Sequence, residues 1–82
     1  MVLSQLENSR KVVGAKQTKR ALKDGKAARV FLARNADPAL TEPLLALCRE
    51  RGVGADCSLT MQQLGRACGI AVPASAVAIV AQ

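Results

Sequence analysis

Apolar residues change their spacing several times along this chain, and each change marks an element. Val2, Leu3 and Leu6 stand at helical spacing, which predicts a short helix over residues 2–9. Val12-Val13 predicts a brief strand ending at Gly14. From Ala15 to about Asp24 the pattern is helical, with Thr18, Ala21 and Leu22 on the inner face and Gly25 as the stop. Arg29-Val30-Phe31-Leu32-Ala33 is a nearly unbroken apolar run, as expected of a central strand covered on both sides.

The second half repeats this alternation. Asn35-Ala36-Asp37-Pro38 has turn chemistry, and Thr41 is placed as the N-cap of a helix that tolerates Pro43 in its first turn. Leu44, Leu45, Leu47 and Cys48 would face inward, and Gly52 would end that helix. Val53 to Ser58 is a weak strand, interrupted by Gly54 and Asp56. Thr60-Met61-Gln62-Gln63 carries a capping-box pattern that starts a short helix through Leu64, Ala67 and Cys68, closed by Gly69. An apolar loop, Ile70 to Ala74, leads into a last strand at Ala76–Val80. Strands alternating with helices predict an α/β fold: a three-layer α/β/α sandwich around a small mixed sheet of about four strands, with residues 1–82 as one domain.

Charge sharpens this picture. Nine of the twelve Lys and Arg residues lie between positions 10 and 34, where Asp24 is the only acid. That segment carries +8, while the rest of the chain carries −2. A helix start already favours anions through its free N–H groups, and Lys16, Lys19 and Arg20 crowd the first turns of the helix after Gly14. Lys16, Lys19, Arg20 and Lys26 together form a compact basic cluster in this reading, and such a surface seeks phosphate. Solvated lysines are the ordinary alternative, at even weight for Lys23 and Lys26. Phe31 is the only aromatic, which argues against binding single strands by stacking bases on exposed rings.

Other chemistries find little support. The chain has no His, no phosphate-binding loop, no nucleophile elbow and no close carboxylate pair, so an enzyme is not expected. Cys48, Cys57 and Cys68 lack metal-ligand spacing and read as small core residues, with no metal or cofactor implied. Three widely spaced cysteines, no secretory signal and no apolar stretch long enough to cross a bilayer lead to the expectation of a reduced, cytoplasmic protein without a membrane partner.

Two segments, taken together, resemble a known family. The first runs from Gly14-Ala15-Lys16-Gln17-Thr18-Lys19-Arg20-Ala21-Leu22, past Gly25 and a basic–apolar strand, to Asn35-Ala36-Asp37-Pro38. The second is Leu64-Gly65-Arg66-Ala67-Cys68-Gly69-Ile70-Ala71-Val72-Pro73-Ala74-Ser75-Ala76-Val77-Ala78-Ile79. Their order is similar to the kink-turn-binding ribosomal protein family. Its relatives include the archaeal and eukaryotic large-subunit protein and core proteins of small nucleolar and spliceosomal RNA particles. The chain looks most like the family's small bacterial, ribosomal-protein-like members.

That resemblance implies an α/β/α sandwich and a non-enzymatic RNA-binding function. Gly14, Ala15, Lys16 and Gln17 would open a helix that enters the widened major groove of a kink-turn, at tandem sheared G·A pairs. Lys16-Gln17 stands where the family often has Asn-Glu, which adds positive charge but keeps groups able to address guanine and adenine edges. Lys19, Arg20 and Lys26 would relieve repulsion between crowded phosphates. Ile70, Ala71, Val72, Pro73 and Ala74 would cover a flipped-out nucleotide; an ordinary buried turn before a strand is the competing role for Val72 and Pro73. The implied partner is kink-turn RNA, whether ribosomal RNA, a riboswitch or another transcript, bound by a monomer that could associate with the ribosome. A ribosome-associated scaffold that uses its basic face without sequence preference is the alternative. A third and weaker reading is a small enzyme or metabolite-binding domain with an anion pocket at the helix start.

Overall fold

The apolar run around Phe31 lies inside the sheet, with helices on both faces. A computed structural model describes residues 10–80, and the helix expected at 2–9 lies outside the described residues. The described elements are β1 (Lys11–Val13), α1 (Ala15–Lys23), β2 (Ala27–Leu32), α2 (Pro38–Arg51), β3 (Gly54–Asp56), α3 (Met61–Ala67) and β4 (Ala76–Val80). Sheet order is β1-β4-β2-β3. β4 runs antiparallel to both neighbours and β3 parallel to β2, so the sheet is mixed.

Alternation along the strands divides the core in two. Val30, Leu32, Ala76 and Ala78 point to one face, where they meet Ala21 and Leu22 of α1 and Leu44 and Cys48 of α2. Phe31, Ala33 and Val77 point to the other, against Leu64 and Ala67 of α3 and Ala74. Both faces of β2 are therefore dry, which is why its sequence has no polar alternation after Arg29. Phe31 is only 1% exposed, so the chain's single aromatic is core and offers no platform for a base.

α1 follows its predicted pattern, with Thr18, Ala21 and Leu22 buried. At its end Gly25 takes φ 69°, a left-handed conformation that costs glycine little. α3 has the predicted capping box: Thr60 Oγ1 accepts from the Gln63 N–H at 3.1 Å, and Gln63 Oε1 accepts from the Thr60 N–H at 2.9 Å.

α2 begins one turn earlier than its sequence suggests. Asp37 is the N-cap, its Oδ1 accepting from the Ala39 N–H at 2.9 Å, and Pro38 occupies the first helical position. The dipeptide read as a turn is a cap followed by a proline whose fixed φ suits a helix start. Thr41 is consequently inside the helix, and so is Pro43, whose ring removes the N–H that would bond the Ala39 carbonyl. Pro43 lies on the exposed side, so Leu44 and Cys48 keep their inward positions. Leu45 and Leu47 are only partly buried. β3 is half the length expected: it ends at Asp56, which pairs with Phe31 and whose Oδ1 accepts from the Ser58 N–H at 2.9 Å as the chain turns away.

The cysteines do not share one environment. Cys48 is buried, Cys68 is intermediate and Cys57, just past the end of edge strand β3, is exposed. Cys57 therefore corrects the expectation of three core thiols. Burial pushes the Cys48 and Cys68 thiols above their ordinary pKa. Iodoacetamide at mild alkaline pH should thus alkylate Cys57 first, Cys68 more slowly and Cys48 only as the protein unfolds, an order that peptide mass spectrometry would read directly.

Candidate nucleic-acid interface

Gly14 joins β1 to α1, and its backbone can do so because φ is 114°, outside the range of most L-residues. Its N–H donates to the Ala76 carbonyl at 2.8 Å, and its own carbonyl accepts from the Thr18 N–H at 2.9 Å. The absence of a side chain matters a second time here. Gln17 folds back so that its Oε1 lies 2.6 Å from where a Gly14 Cβ would stand. No side chain caps α1 and no acid occupies its first turn. The first-turn N–H groups have no partners within the helix and face outward beside Lys16 and Gln17, both exposed.

The five-residue loop after α3 is seated on that helix. The Ile70 N–H donates to the Gly65 carbonyl at 3.1 Å, and the Ala74 N–H donates to the Met61 carbonyl at 3.1 Å. Between these ties the loop crosses Gly65 so closely that a Cβ there would collide with the Val72 carbonyl oxygen. The loop is not uniform. Ile70 packs against the Phe31 side of the core, and Ala74 is buried within it. Ala71, Val72 and Pro73 are exposed, Val72 at 62%. An apolar side chain that far exposed in a tethered loop is a surface element, which removes the core role for Val72.

A hydrogen bond and the strand register bring these pieces to one end of the sheet. β4 starts at Ala76, directly after the loop, and the Ala76 carbonyl holds Gly14. Val13 pairs with Val77 in the adjacent register position. The helix start and the apolar loop, nearly sixty residues apart in sequence, thus flank the first residues of one strand.

The basic residues expected to cluster line two grooves that flank α1. Lys16 and Lys19 line a shallow groove toward α2, with Leu40 and Pro43 as apolar neighbours. Gln17 and Arg20, the latter one turn on from Lys16, line a second groove beside β1. Lys26 lies beyond the far end of α1: nine helical residues rise about 13 Å, and Gly25 then turns the chain back. The sole ion pair among the described residues, Arg29 to Asp56 at 3.5 Å, joins β2 to β3 at the sheet edge opposite β1.

Sequence reasoning missed Gln62 and Arg66, which line a recess with Ile70, Ala71, Val72 and Pro73. Their signal was present: they stand four apart on a helix, and Arg66 is the only base after position 51. It also missed Arg10 and Lys11, which join Gln17, Arg20 and Lys26 along the β1 side.

A family model described as "Ribosomal protein L7Ae/L30e/S12e/Gadd45 family" matches residues 2–82. A Geobacillus sp. (strain WCH70) protein named as an RNA-binding protein is 44% identical over 75 residues, which cover 92% of each chain. Among solved structures, the Giardia lamblia 15.5kD RNA binding protein superposes with a TM-score of 0.83 at 30% identity over 89% of this chain. This chain spans 62% of that protein's length. A Bacillus halodurans C protein whose structure is described as having unknown function matches with a TM-score of 0.86 at 23% identity, covering 94% of this chain and 81% of its own; that likeness shows the fold.

Proposed function

The chain belongs to the ribosomal protein L7Ae/L30e/S12e/Gadd45 family, and we propose that it is a non-enzymatic RNA-binding protein that recognises and stabilises kink-turn RNA. The observation that carries this reading is the uncapped, acid-free start of α1 beside an exposed apolar loop, at one end of one sheet. The RNA-binding names of its relatives support it.

In this mechanism α1 presents its first turn to the widened major groove. Lys16 and Gln17 address base edges at the sheared G·A pairs, while Lys19 and Arg20 meet phosphates on either side of the helix. The free N–H groups of the first turn add partial positive charge where phosphates crowd. Val72 and Pro73 give an extruded base a flat apolar bed that water leaves on contact. The RNA samples extended and kinked forms, and a protein that binds only the kinked one shifts the population toward it. We place this activity in the cytoplasm and in a monomer, with ribosomal RNA, a riboswitch or another transcript as the target.

Titrating the protein against a kink-turn and a twin with Watson–Crick pairs in place of the G·A pairs tests the reading. Each good base-edge pair contributes about 1–3 kcal/mol of discrimination, so the twin should bind about tenfold more weakly at moderate salt. Gln17→Ala should narrow that gap. Equal affinity for both RNAs would favour the scaffold reading, which the spread of Lys and Arg around α1 would also serve.

A further inference from the structure

α3 and the loop folded over it border a recess of about 210 Å³, lined by Gln62, Arg66, Ile70, Ala71, Val72 and Pro73. That is smaller than the pockets that enclose a whole drug-sized ligand, and it suits a single planar ring. The loop contributes only apolar side chains, so Gln62 and Arg66, both exposed, supply the polar ones. What Gln62 offers is fixed from outside the recess. The Arg34 N–H donates to the Leu59 carbonyl at 2.8 Å, which holds the chain after β2 against the approach to α3. Asn35 then accepts the Met61 N–H on its Oδ1 at 2.8 Å. A backbone N–H can only donate, so this amide must turn its oxygen to Met61, and its NH2 group is left to donate. It does so to Gln62 Oε1 at 3.4 Å. With its oxygen turned to Asn35, Gln62 has only its Nε2 hydrogens to give a ligand. Arg66, four positions along the same helix, is a donor and never an acceptor.

We propose that Gln62 and Arg66 select the base of the extruded nucleotide, favouring uracil and guanine over cytosine and adenine, and that Asn35 sets this preference by holding the Gln62 amide in one orientation. The inference rests on the kink-turn reading above, which lays an extruded base on Val72 and Pro73 but gives that base no identity. Uracil presents a carbonyl oxygen, and guanine its O6 with N7, where cytosine and adenine present an amino group. Two side-chain donors meet the carbonyl bases as partners. Against an amino group they leave donors facing donors, shielded from water by the apolar loop and unpaired. Asn35 touches no RNA in this scheme. It is a positioning residue, acting through the amide of Gln62.

The test titrates the protein with four kink-turn RNAs that differ only in the extruded nucleotide, at one salt concentration. The uracil and guanine RNAs should bind about fivefold more tightly than the cytosine and adenine RNAs, the low end for a base-edge contact because the recess is open to water. Asn35→Asp is the decisive variant. Its carboxylate still accepts the Met61 N–H, so the tie to α3 is kept, but it can no longer donate to Gln62. The Gln62 amide then turns its NH2 to the carboxylate and its oxygen to the recess, and the preference should reverse toward cytosine and adenine. The added negative charge lowers every affinity, so the ratio between bases is the quantity read. Gln62→Leu should bring the four RNAs level. A purely structural role for Asn35 would weaken all four together and leave their ratio as it was, and that result would overturn the proposal. If the unaltered protein binds all four equally while the G·A twin is still rejected, base selection fails and the kink-turn reading stands. Equal affinity for the G·A twin would instead remove the reading on which the selection depends.

Discussion

Gly65→Val should destabilise the protein by about 3 kcal/mol, the upper part of the range for overpacking a close contact. For a domain of this size that is roughly 12–24 °C in Tm, a shift that calorimetry or circular dichroism reads easily. The reason is local. Gly65 is buried in α3 under the loop, where a Cβ would collide with the Val72 carbonyl oxygen and stand 3.2 Å from the Pro73 Cα. Both obstacles are backbone atoms, and the loop carrying them is tied at Ile70 and Ala74, so it can retreat only by breaking one of those bonds. Gly65→Ala separates this contact from helix propensity. Alanine is favoured over glycine in a helix by up to about 1 kcal/mol, so a neutral or stabilised alanine variant would mean that the loop yields freely. A clear loss of stability in both variants would establish that the loop is seated on α3. In the fraction that remains folded, RNA affinity should fall as well, because the displaced segment includes Val72 and Pro73.

What could be read in the sequence followed physical simplicity. β2 was legible because both its faces are dry, and α1 because Thr18, Ala21 and Leu22 fall on one stripe between two glycines. The start of α2 was obscured by two competing signals. Asp37-Pro38 fits both a turn and an N-cap with proline at the first helical position, and Pro43 drew the start toward itself. Proline in a helix interior is costly, yet here it faces solvent and leaves the packing of Leu44 and Cys48 untouched. Within the interface, Lys26 follows Arg20 by six positions, and the Gly25 turn brings it back so that its N–H donates to the Ala21 carbonyl and both residues line the β1 side of α1. Gly65 stood in a recognisable segment, although its reason is a loop seven residues later that only the folded chain brings back across it. Gln62 and Arg66 gain meaning from the same contact, since nothing along the chain announces that Val72 returns to their helix.

Val72→Asp should weaken kink-turn binding by about thirtyfold and leave the melting temperature almost unchanged. Val72 is 62% exposed, so a carboxylate there stays in water in the free protein and costs folding little. The bound state pays twice. The apolar bed for an extruded base is lost, and a negative charge is placed among phosphates that the chain otherwise meets with Lys16, Lys19 and Arg20. At about 5 Å and an effective dielectric near 20, one such repulsion amounts to about 3 kcal/mol before screening by salt, and about 2 kcal/mol after it corresponds to the thirtyfold loss. Val72→Ala divides the two contributions, since it shrinks the bed without adding charge and should cost only a few-fold. Salt divides them again: the aspartate defect should shrink as salt rises, whereas the alanine defect should not. Thermal unfolding and RNA titration on the same preparation decide the matter. Unchanged affinity in a stable aspartate variant would remove Ala71, Val72 and Pro73 from the interface and leave α1 to bind alone.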